Sequence, residues 1–325
     1  MGLSVIIPVR NGMDDLALSV AAILSSSTPP EEILIVDDGS REPLPGIVQH
    51  PLCRVIRTDD NQGSFHARNL AARQAIGGIL VFIDSDVCVT TDTLAALQRR
   101  LKEDEGLSAV FGRYDEDPAG ASLISQYRNL LHSFMHQSSS AAAHTFWTGC
   151  GAIRRAVFLR FNGFARDRLY LRDVELGVRL SQGGHRILLD NGIAVKHRKQ
   201  WTLGSMIRTD VFYRAANWTE ICLRSGHLPN DMNVRLSERI CVILVYLLAL
   251  STLAAIFGGG LALSGSAALL FAAYLFASRG MLAFLSRARG WRFALRAIPL
   301  HMLYHLCCGA GLLVGIAQWL SRRSR

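Results

Sequence analysis

Paired cysteines and the common nucleotide-binding glycine motifs are missing from this sequence. Its seven cysteines are scattered and never spaced C-x-x-C, which argues against a disulfide framework or a structural zinc site and favours a reducing compartment. No G-x-G-x-x-G follows the first predicted strand and no Walker phosphate loop occurs, which disfavours a dehydrogenase or a P-loop enzyme. The opening run Leu3–Val9 lacks a basic lead and a cleavage site, so we expect no secretory signal peptide.

Acidic residues are almost absent from the last part of the chain. Residues 1–235 carry 26 Lys and Arg against 25 Asp and Glu, whereas residues 236–325 carry nine Arg against the single Glu238. Of the net charge of +9, +8 therefore lies in an apolar tail, where basic residues are typical of membrane flanks. Because no segment interleaves aromatic and basic residues as nucleic-acid modules do, we expect a membrane as partner and no nucleic acid.

Two long uncharged runs mark this tail. No charge occurs between Arg239 and Arg279, a run of 39 residues, and one span needs only ~20. Breaks at 258–260 and 264–266 predict a hairpin of 240–257 and 267–285, with the basic segment 287–296 on the cytosolic side. Residues 297–320 form a third run, spanning or re-entrant, in which Pro299, His301 and His305 disfavour a simple crossing. Two or three transmembrane or re-entrant helices are predicted over 237–325.

Up to residue 114, short apolar runs alternate with helical patterns, as in parallel βαβ units. The predicted strands are Ser4–Val9, Glu32–Asp38, Arg54–Thr58, Ile79–Asp84 and Ser108–Tyr114, and the predicted helices are Met13–Ser26, Ser64–Ile76 and Asp92–Glu105. Because several strands are continuously apolar, as strands covered on both faces are, we predict a doubly wound α/β sheet.

The pattern is mixed from residue 115 to 200. It predicts a helix over Ser122–Gln137, a glycine-rich turn at Gly149–Gly151, a helix starting near Asp173, and strands near Ile187 and Val195. Residues 201–236 are amphipathic, with Ile207, Val211, Phe212 and Ala215 on one helical face. That segment either covers the sheet or lies on a bilayer surface.

Acidic residues follow two predicted buried strands, at Asp37-Asp38 and at Asp84-Ser85-Asp86. Ligands of doubly wound sheets bind where the strands end. Asp38 is suited to accept hydrogen bonds from a base or ribose, although a turn with an Asx-type cap is the alternative. The carboxylates of Asp84 and Asp86 suit Mg²⁺ or Mn²⁺, with phosphates and water as further ligands, but such a triplet alone is a weak signal.

The segment Asn61–Asn69 lies between the two acidic motifs. It leads into a helix whose first turns could face phosphates, with Arg68 as a fixed cation. The alternative is an ordinary helix start capped by Asn61 or Ser64.

Taken in order, these motifs resemble the family 2 glycosyltransferases of GT-A fold. The resemblance covers about residues 3–200 and rests on Val5–Asn11, Val36–Ser40, Asn61–Asn69, Asp84–Asp86, Trp147–Arg155, Phe161–Phe164, Asp173–Leu176 and Val195–His197. It implies a mixed, mostly parallel GT-A sheet followed by the C-terminal transmembrane helices.

The resemblance also implies a role for each matched residue. The nucleotide base would lie against Pro8, Val9, Asn11 and Asp38, and Arg68 would lie near the base or the diphosphate. Asp84 would lie near the ribose and the metal, and Asp86 and His197 would bind the metal. The donor sugar would lie beside Gly149 and Gly151, and Asp173 would be the catalytic base. A strand-end histidine and a helix-capping aspartate are the alternatives for His197 and Asp173. Arg172 departs from the family, which usually has an acidic residue there.

The implied activity is inverting, metal-dependent sugar transfer from a nucleotide-sugar donor to a carbohydrate or lipid-linked acceptor. Mn²⁺ or Mg²⁺ would be the cofactor, and the enzyme would be multi-pass in the inner (cytoplasmic) membrane with its catalytic domain in the cytosol. Residues 1–200 would form that domain, with a nucleotide-sugar half (1–114) and an acceptor half (115–200), followed by connecting helices (201–236) and the membrane region (237–325). The Gln-x-x-Arg-Trp element of processive members is absent, which favours transfer of one sugar. The alternatives are a nucleotidyltransferase and an inactive membrane scaffold.

Overall fold

The computed structural model describes residues 1–165, 170–226, 228, 230, 232–258 and 261–323. Its backbone contacts divide the chain into unit 1, Met1–Gly120 with Ser139–Gln200, and unit 2, Ala121–Ser138 with Trp201–Arg325. Unit 1 ends at the predicted boundary of the catalytic domain, whereas segment 121–138 groups with the C-terminal residues. The functional division into domains stays a prediction.

Unit 1 is built on one mixed sheet. Its strands are β1 (Leu3–Val9), β2 (Glu32–Asp38), β3 (Cys53–Thr58), β4 (Ile79–Ile83), β5 (Val87–Cys88), β6 (Leu107–Tyr114), β7 (Ala142–Ala143), β8 (Cys150–Arg154) and β9 (Arg186–His197). Their order is β3-β2-β1-β4-β8-β6-β9-β5, and β7 pairs with β9. The first four strands in that order and the pair β6–β9 run parallel, whereas β8 is antiparallel to both β4 and β6. The predicted α/β class with a mixed sheet is confirmed.

The helices of the described residues follow the predicted alternation in the N-terminal half. They are α1 (Met13–Leu24), α2 (Ser64–Gln74), α3 (Thr93–Glu103), α4 (Leu123–Gln137), α5 (Arg155–Arg160), α6 (Arg172–Gln182), α7 (Leu203–Arg208), α8 (Ala216–Ser225), α9 (Leu236–Ile256), α10 (Leu261–Ala277), α11 (Arg279–Arg289) and α12 (Trp291–Arg323). Short 3₁₀ turns occupy Gly46–Gln49 and Met232–Val234.

Burial explains why the central strands read as apolar runs. Every residue of β1, β2 and β4 is buried, whereas β3 at the sheet edge exposes much of its length. Helix α1 begins after Asn11 and Gly12, both of which take left-handed backbone angles (φ 58° and 71°) that turn the chain sharply at the end of β1.

Two predictions in the second half of unit 1 are wrong. The glycine-rich segment Gly149–Gly151 is not a turn, because β8 begins at Cys150 and pairs with both β4 and β6. The separate strands predicted near Ile187 and Val195 form the single strand β9, because the chain stays extended through its intervening polar residues.

Unit 2 is helical, and its core joins α4 to the later helices through apolar residues such as Leu130, Met206, Phe284 and Tyr304. Within this core the Arg128 guanidinium donates to the Asp210 carboxylate at 2.7 Å. Asp210 lies in a π-helical segment, Thr209–Ala215, which packs with α8 against α12. The widened turn alters the 3.6-residue periodicity. As a result Val211 is buried while Phe212, predicted on the same face, is 48% exposed.

Two helices of unit 2, α9 and α12, are long and apolar enough to cross a membrane. The predicted segment 267–285 is not one helix, because α10 and α11 meet at a bend of 63° and form at most a broken span. Residues 264–266, predicted to break the hairpin, lie inside α10. Gly259, Gly260 and Arg325 lie outside the described residues.

The basic segment 287–296 comprises the end of α11 and the start of α12, separated by Gly290. Helix α12 continues through Pro299. Its polar residues have partners inside unit 2, since His301 bonds the Tyr127 hydroxyl at 3.0 Å and His305 bonds the Tyr274 hydroxyl at 2.9 Å. Paired polar groups are tolerated in an apolar helix because their hydrogen bonds replace those of water.

Candidate active site

The predicted acidic residues lie at one edge of the unit 1 sheet. Strands β1, β2 and β4 are parallel neighbours, so their C-terminal ends meet at the same edge. Asp38 ends β2, and Asp84 and Asp86 follow β4. Because β8 pairs antiparallel with β4, with Cys150 opposite Ile83, the residues just before β8 come to this edge as well.

Asp84 is held by a buried arginine. The Arg68 guanidinium, on α2, donates to Oδ1 of Asp84, and the Arg68 side chain is only 4% exposed. Burial raises the pKa of Asp84 above its ordinary value, Arg68 opposes that rise, and the charges of Asp86 and Asp173 add to it. Asp86 and Asp173 therefore both lie close enough to Asp84 to raise its pKa by charge repulsion, as carboxylates of one site do.

Asp86 faces His197 across a short antiparallel pairing. Strand β5 pairs Val87 with His197, and the Asp86 carbonyl accepts from the Arg198 backbone N–H at 2.9 Å. This pairing sets Nε2 of His197 3.5 Å from Oδ2 of Asp86. Burial would raise the pKa of Asp86, but the hydrogen bond and charge of His197, with Lys199, lower it overall. The lowered pKa favours the ionised form of the Asp86 carboxylate.

An aromatic stack fixes the His197 ring. The Tyr114 ring lies parallel to it, 4.1 Å between centroids, and the Trp147 ring meets Tyr114 edge-on at 4.7 Å. Sequence reasoning assigned no role to either residue. Trp147 belonged to a matched motif and Tyr114 to a predicted strand end, but neither signal indicated that their rings would meet.

Asp173 lies at the start of α6 with its side chain turned into the protein. Its Oδ2 accepts from both the backbone N–H and the hydroxyl of Thr148 at 3.3 Å, and the Val174 N–H donates to Oδ1 at 2.9 Å. Burial raises the pKa of Asp173, while the Val174 N–H, the Arg68 charge and the Thr148 N–H oppose the rise. An aspartate with a raised pKa beside other titratable groups is suited to proton transfer.

Arg172 and Arg68 share one aromatic neighbour. The Arg68 guanidinium lies 5.0 Å from the centre of the Phe65 ring and that of Arg172 lies 5.8 Å from it. Cation–π contacts of this kind hold a guanidinium in place at modest energetic gain. The departure at Arg172 thus adds positive charge beside Asp173.

The carboxylate of Asp38 accepts three hydrogen bonds from other residues of the protein. Its carboxylate accepts from the backbone N–H groups of Gln62 and Gly63 at 2.9 and 2.8 Å and from the Thr58 hydroxyl at 3.0 Å. Asp38 is 3% exposed, and Gly63 is the cap of α2. These bonds tie the start of the helix that carries Arg68 to the end of β2. A nucleotide-binding role for Asp38 stays a prediction.

We expect Asp38→Asn to lower the free energy of unfolding by roughly 1–3 kcal/mol, because one amide oxygen cannot serve both N–H groups and the new NH₂ group opposes a buried donor. Thermal unfolding of the full chain measures this change. Asp59→Asn, at the exposed position that follows Thr58, is the matched control. Equal stability of the two variants would contradict the tethering role.

Three further residues predicted to bind the nucleotide-sugar lie in β1 or just after it. Pro8 and Val9 lie in β1 opposite Val36 and Asp37. The Asn11 side chain accepts from the Arg41 backbone N–H at 3.0 Å, so Asn11 joins the loops that follow β1 and β2. Their contact with a nucleotide stays a prediction.

Gly149 and Gly151 have packing reasons for lacking a side chain. A Cβ on Gly149 would lie 2.2 Å from the Trp147 ring, and one on Gly151 would lie 2.3 Å from the Trp147 carbonyl oxygen. Glycine at both positions therefore permits the close approach of Trp147. Their predicted place beside the donor sugar stays a prediction.

The side chains of Asp86 and His197 form a two-residue donor set for a divalent cation. No group of three or more His, Cys, Asp or Glu within the described ranges is arranged to hold a metal ion, and Asp84, the third predicted ligand, is paired with Arg68. One carboxylate oxygen and one imidazole nitrogen suit Mn²⁺, which completes its coordination with phosphate oxygens and water. The residues fit a cation that binds together with a diphosphate.

Part of the chain matches a known protein family. Residues 4–161 match the sequence model described as glycosyl transferase family 2. An uncharacterized glycosyltransferase of Haemophilus influenzae is 23% identical over 55% of this chain and 62% of its own length, so the chain spans less than two thirds of that relative.

Two solved structures share the fold. The mannosyltransferase PcManGT of Pyrobaculum calidifontis, in complex with GDP-Man and Mn²⁺, is 19% identical with a TM-score of 0.59, covering 99% of this chain and 87% of that one. TarS 1–349 of S. aureus, in complex with UDP-GlcNAc, is 15% identical with a TM-score of 0.53, covering 100% and 92%. These likenesses indicate a GT-A fold. The match over residues 4–161 identifies this part of the chain as a family 2 glycosyltransferase domain.

Proposed function

We propose that this chain transfers one sugar from a nucleotide-sugar donor to an acceptor hydroxyl, with inversion at the anomeric carbon. The observation that carries the proposal is the convergence of three carboxylates, Asp84, Asp86 and Asp173, with Arg68 and His197 at the carboxyl edge of one sheet. Such a group of charges can bind a diphosphate at one side and remove a proton at the other.

In this proposal Asp173 is the general base. Its carboxylate takes the proton of the acceptor hydroxyl as that oxygen attacks the anomeric carbon, and the bond to the diphosphate breaks on the opposite side. Thr148 and Val174 orient the carboxylate through their hydrogen bonds to it. Because the displacement is single, no enzymic nucleophile is needed and the sugar inverts.

The donor diphosphate lies against Asp86, His197 and Arg68. A divalent cation bound by Asp86 and His197, Mn²⁺ or Mg²⁺, would neutralise the charge that develops on the leaving diphosphate. Arg68 is fixed between Asp84 and Phe65, so its charge is already oriented before the donor binds. The GDP-Man and Mn²⁺ bound by PcManGT and the UDP-GlcNAc bound by TarS support a donor of this class.

The proposal that the enzyme is bound to a membrane rests on unit 2. Helices α9 and α12 are of spanning length, and the nine arginines of residues 236–325 favour a cytosolic catalytic unit by the positive-inside rule. A multi-pass enzyme of the cytoplasmic membrane would meet a carbohydrate or lipid-linked acceptor at the cytosolic face. The missing Gln-x-x-Arg-Trp element supports a single transfer.

The rival readings explain fewer of these contacts. A nucleotidyltransferase would use the acidic strand ends but has no need of a buried base such as Asp173. An inactive scaffold gives no reason for an arginine almost fully buried against Asp84, because an unligated scaffold gains little from such a costly ion pair.

A donor panel tests the proposal. We expect the purified full chain to release nucleoside diphosphate from one or a few UDP-, GDP- or dTDP-sugars, only with Mn²⁺ or Mg²⁺ present and not with excess EDTA. Product detection by mass spectrometry distinguishes the classes, because a nucleotidyltransferase would need added pyrophosphate and would convert the same donors to a nucleoside triphosphate and a sugar 1-phosphate. Turnover in EDTA would exclude the metal-dependent mechanism.

A further inference from the structure

Unit 2 contains a cavity of about 640 Å³ among α8, α9 and α12. This volume is in the range of small-molecule sites. On α12 the lining residues Tyr304, Cys308, Leu312 and Ile316 recur every fourth position and so share one helical face. Side chains of α8 and the first turns of α9 close the other sides, and most of the wall is apolar. The shape suits an extended apolar chain lying along α12.

Two arginines give the cavity a positive region. Arg214, in the π-helical segment, and Arg239, in the first turns of α9, both line it. Within the described part of the chain, Nη1 of Arg214 and Nε of Arg239 are buried and have no hydrogen-bond partner. Burying a guanidinium hydrogen without a partner is costly, so the described residues leave two guanidinium groups beside the cavity without a full set of acceptors.

Two nearby carboxylates contact other residues. Oδ1 of Asp210 accepts from Arg128 at 2.7 Å, while its Oδ2 has no hydrogen-bond partner among the described residues. Glu238, which also lines the cavity, lies within 3.4 Å of Arg235 and 3.3 Å of His305. Burial, with the charge of Arg128, lowers the pKa of Arg214, and Asp210 opposes this only in part. Among the described residues, the cavity lining carries two arginines and one carboxylate, that of Glu238.

We propose that this cavity binds an anionic phospholipid, with its phosphate on Arg214 and Arg239 and an acyl chain along the apolar face of α12. Charge complementarity selects a phosphate, and the apolar wall between two helices of spanning length selects a lipid over a free anion. Asn233 also lines the cavity, and its Oδ1, which has no partner among the described residues, would accept from a headgroup hydroxyl. The inference rests on membrane insertion of α9 and α12 and is independent of sugar transfer.

Native mass spectrometry of the delipidated full chain in detergent tests the site. Titration with palmitoyl-oleoyl phosphatidylglycerol should give a one-lipid complex at a concentration at least about tenfold lower than the phosphatidylcholine of the same chains. The double variant Arg214→Gln/Arg239→Gln should lose this preference. The matched control Arg279→Gln/Arg292→Gln removes the same charge at exposed positions outside the cavity and should keep it.

A second variant keeps the test valid if the double arginine variant fails to fold. Cys222→Phe places a ring in the cavity while leaving both arginines, and should weaken binding of both lipids severalfold at an unchanged thermal midpoint. The proposal is overturned if the wild type shows no preference, if both arginine double variants behave alike, or if Cys222→Phe binds as the wild type does. Competition by millimolar inorganic phosphate alone would instead identify an anion site and overturn the lipid assignment. Sugar transfer is not a readout, so a failed donor panel does not affect this test.

Discussion

Asp173→Asn is expected to slow sugar transfer by roughly 10²–10⁴-fold, the usual contribution of a general base. The amide oxygen can still accept from the Thr148 N–H and hydroxyl that now contact Oδ2 of Asp173. The Val174 N–H loses its acceptor Oδ1, so the thermal midpoint of the variant is measured beside its rate. What the variant loses is the capacity to take a proton. Donor affinity should stay within about twofold, since an interaction made only in the transition state affects kcat rather than ground-state binding.

The pH profile gives a second signature of the same group. Burial raises the pKa of Asp173, and below that pKa the protonated carboxyl cannot act as a base. The kcat of the wild type should therefore rise with pH through a value above ~3.9, the ordinary Asp pKa. That acidic limb should vanish in Asp173→Asn.

Asp104→Asn, at a half-exposed carboxylate paired with Arg186, is the matched control and should retain both rate and pH profile. Loss of donor binding in parallel with rate would instead assign Asp173 to the donor pocket.

Asp86→Ala is expected to have an effect of similar size on the Mn²⁺ concentration that the enzyme needs for activity. The residue supplies one of the two protein donors at the predicted metal site, with His197 3.5 Å away. Even indirect supports of a metal ligand are worth about 10–100-fold in affinity, so loss of a direct ligand should raise the Mn²⁺ concentration for half-maximal activity by at least about 100-fold. Turnover at fixed low Mn²⁺ should fall accordingly.

Electron paramagnetic resonance of Mn²⁺ with a nucleoside diphosphate present measures binding without relying on turnover. Asp117→Ala removes a largely exposed carboxylate paired with Lys196, next to His197, and serves as the control. Undiminished activity of Asp86→Ala at low Mn²⁺ would remove the metal from the mechanism.

The N-terminal strands were predictable because their signal is local. Every residue of β2 is buried, and its bounds, Glu32–Asp38, match the sequence prediction. The same holds within one residue for β1, β4 and β6. A continuous apolar run between polar turns leaves little freedom in where such a strand begins and ends.

Features that depend on distant pairing were not predictable in this way. Strand β8 has only five residues, and its place between β4 and β6 depends on partners far along the chain. The stack of Tyr114 on His197 and the use of Asp38 to tether Gln62 and Gly63 likewise arise from packing that no periodicity encodes. The motifs located the site, whereas contacts in three dimensions distinguish residues that face it from residues that support it.

The pairing of β5 with β9 has a consequence for biosynthesis. Asp86 and His197 are separated by 111 positions in the chain, and only two register pairs, Val87 with His197 and Cys88 with Lys196, bring them together. Domains fold as the nascent chain leaves the ribosome, so a polypeptide that already displays β1 to β4 still lacks half of this ligand pair. The predicted metal site is complete only once β9 has emerged, by which point Asp173, the proposed base, has been made as well.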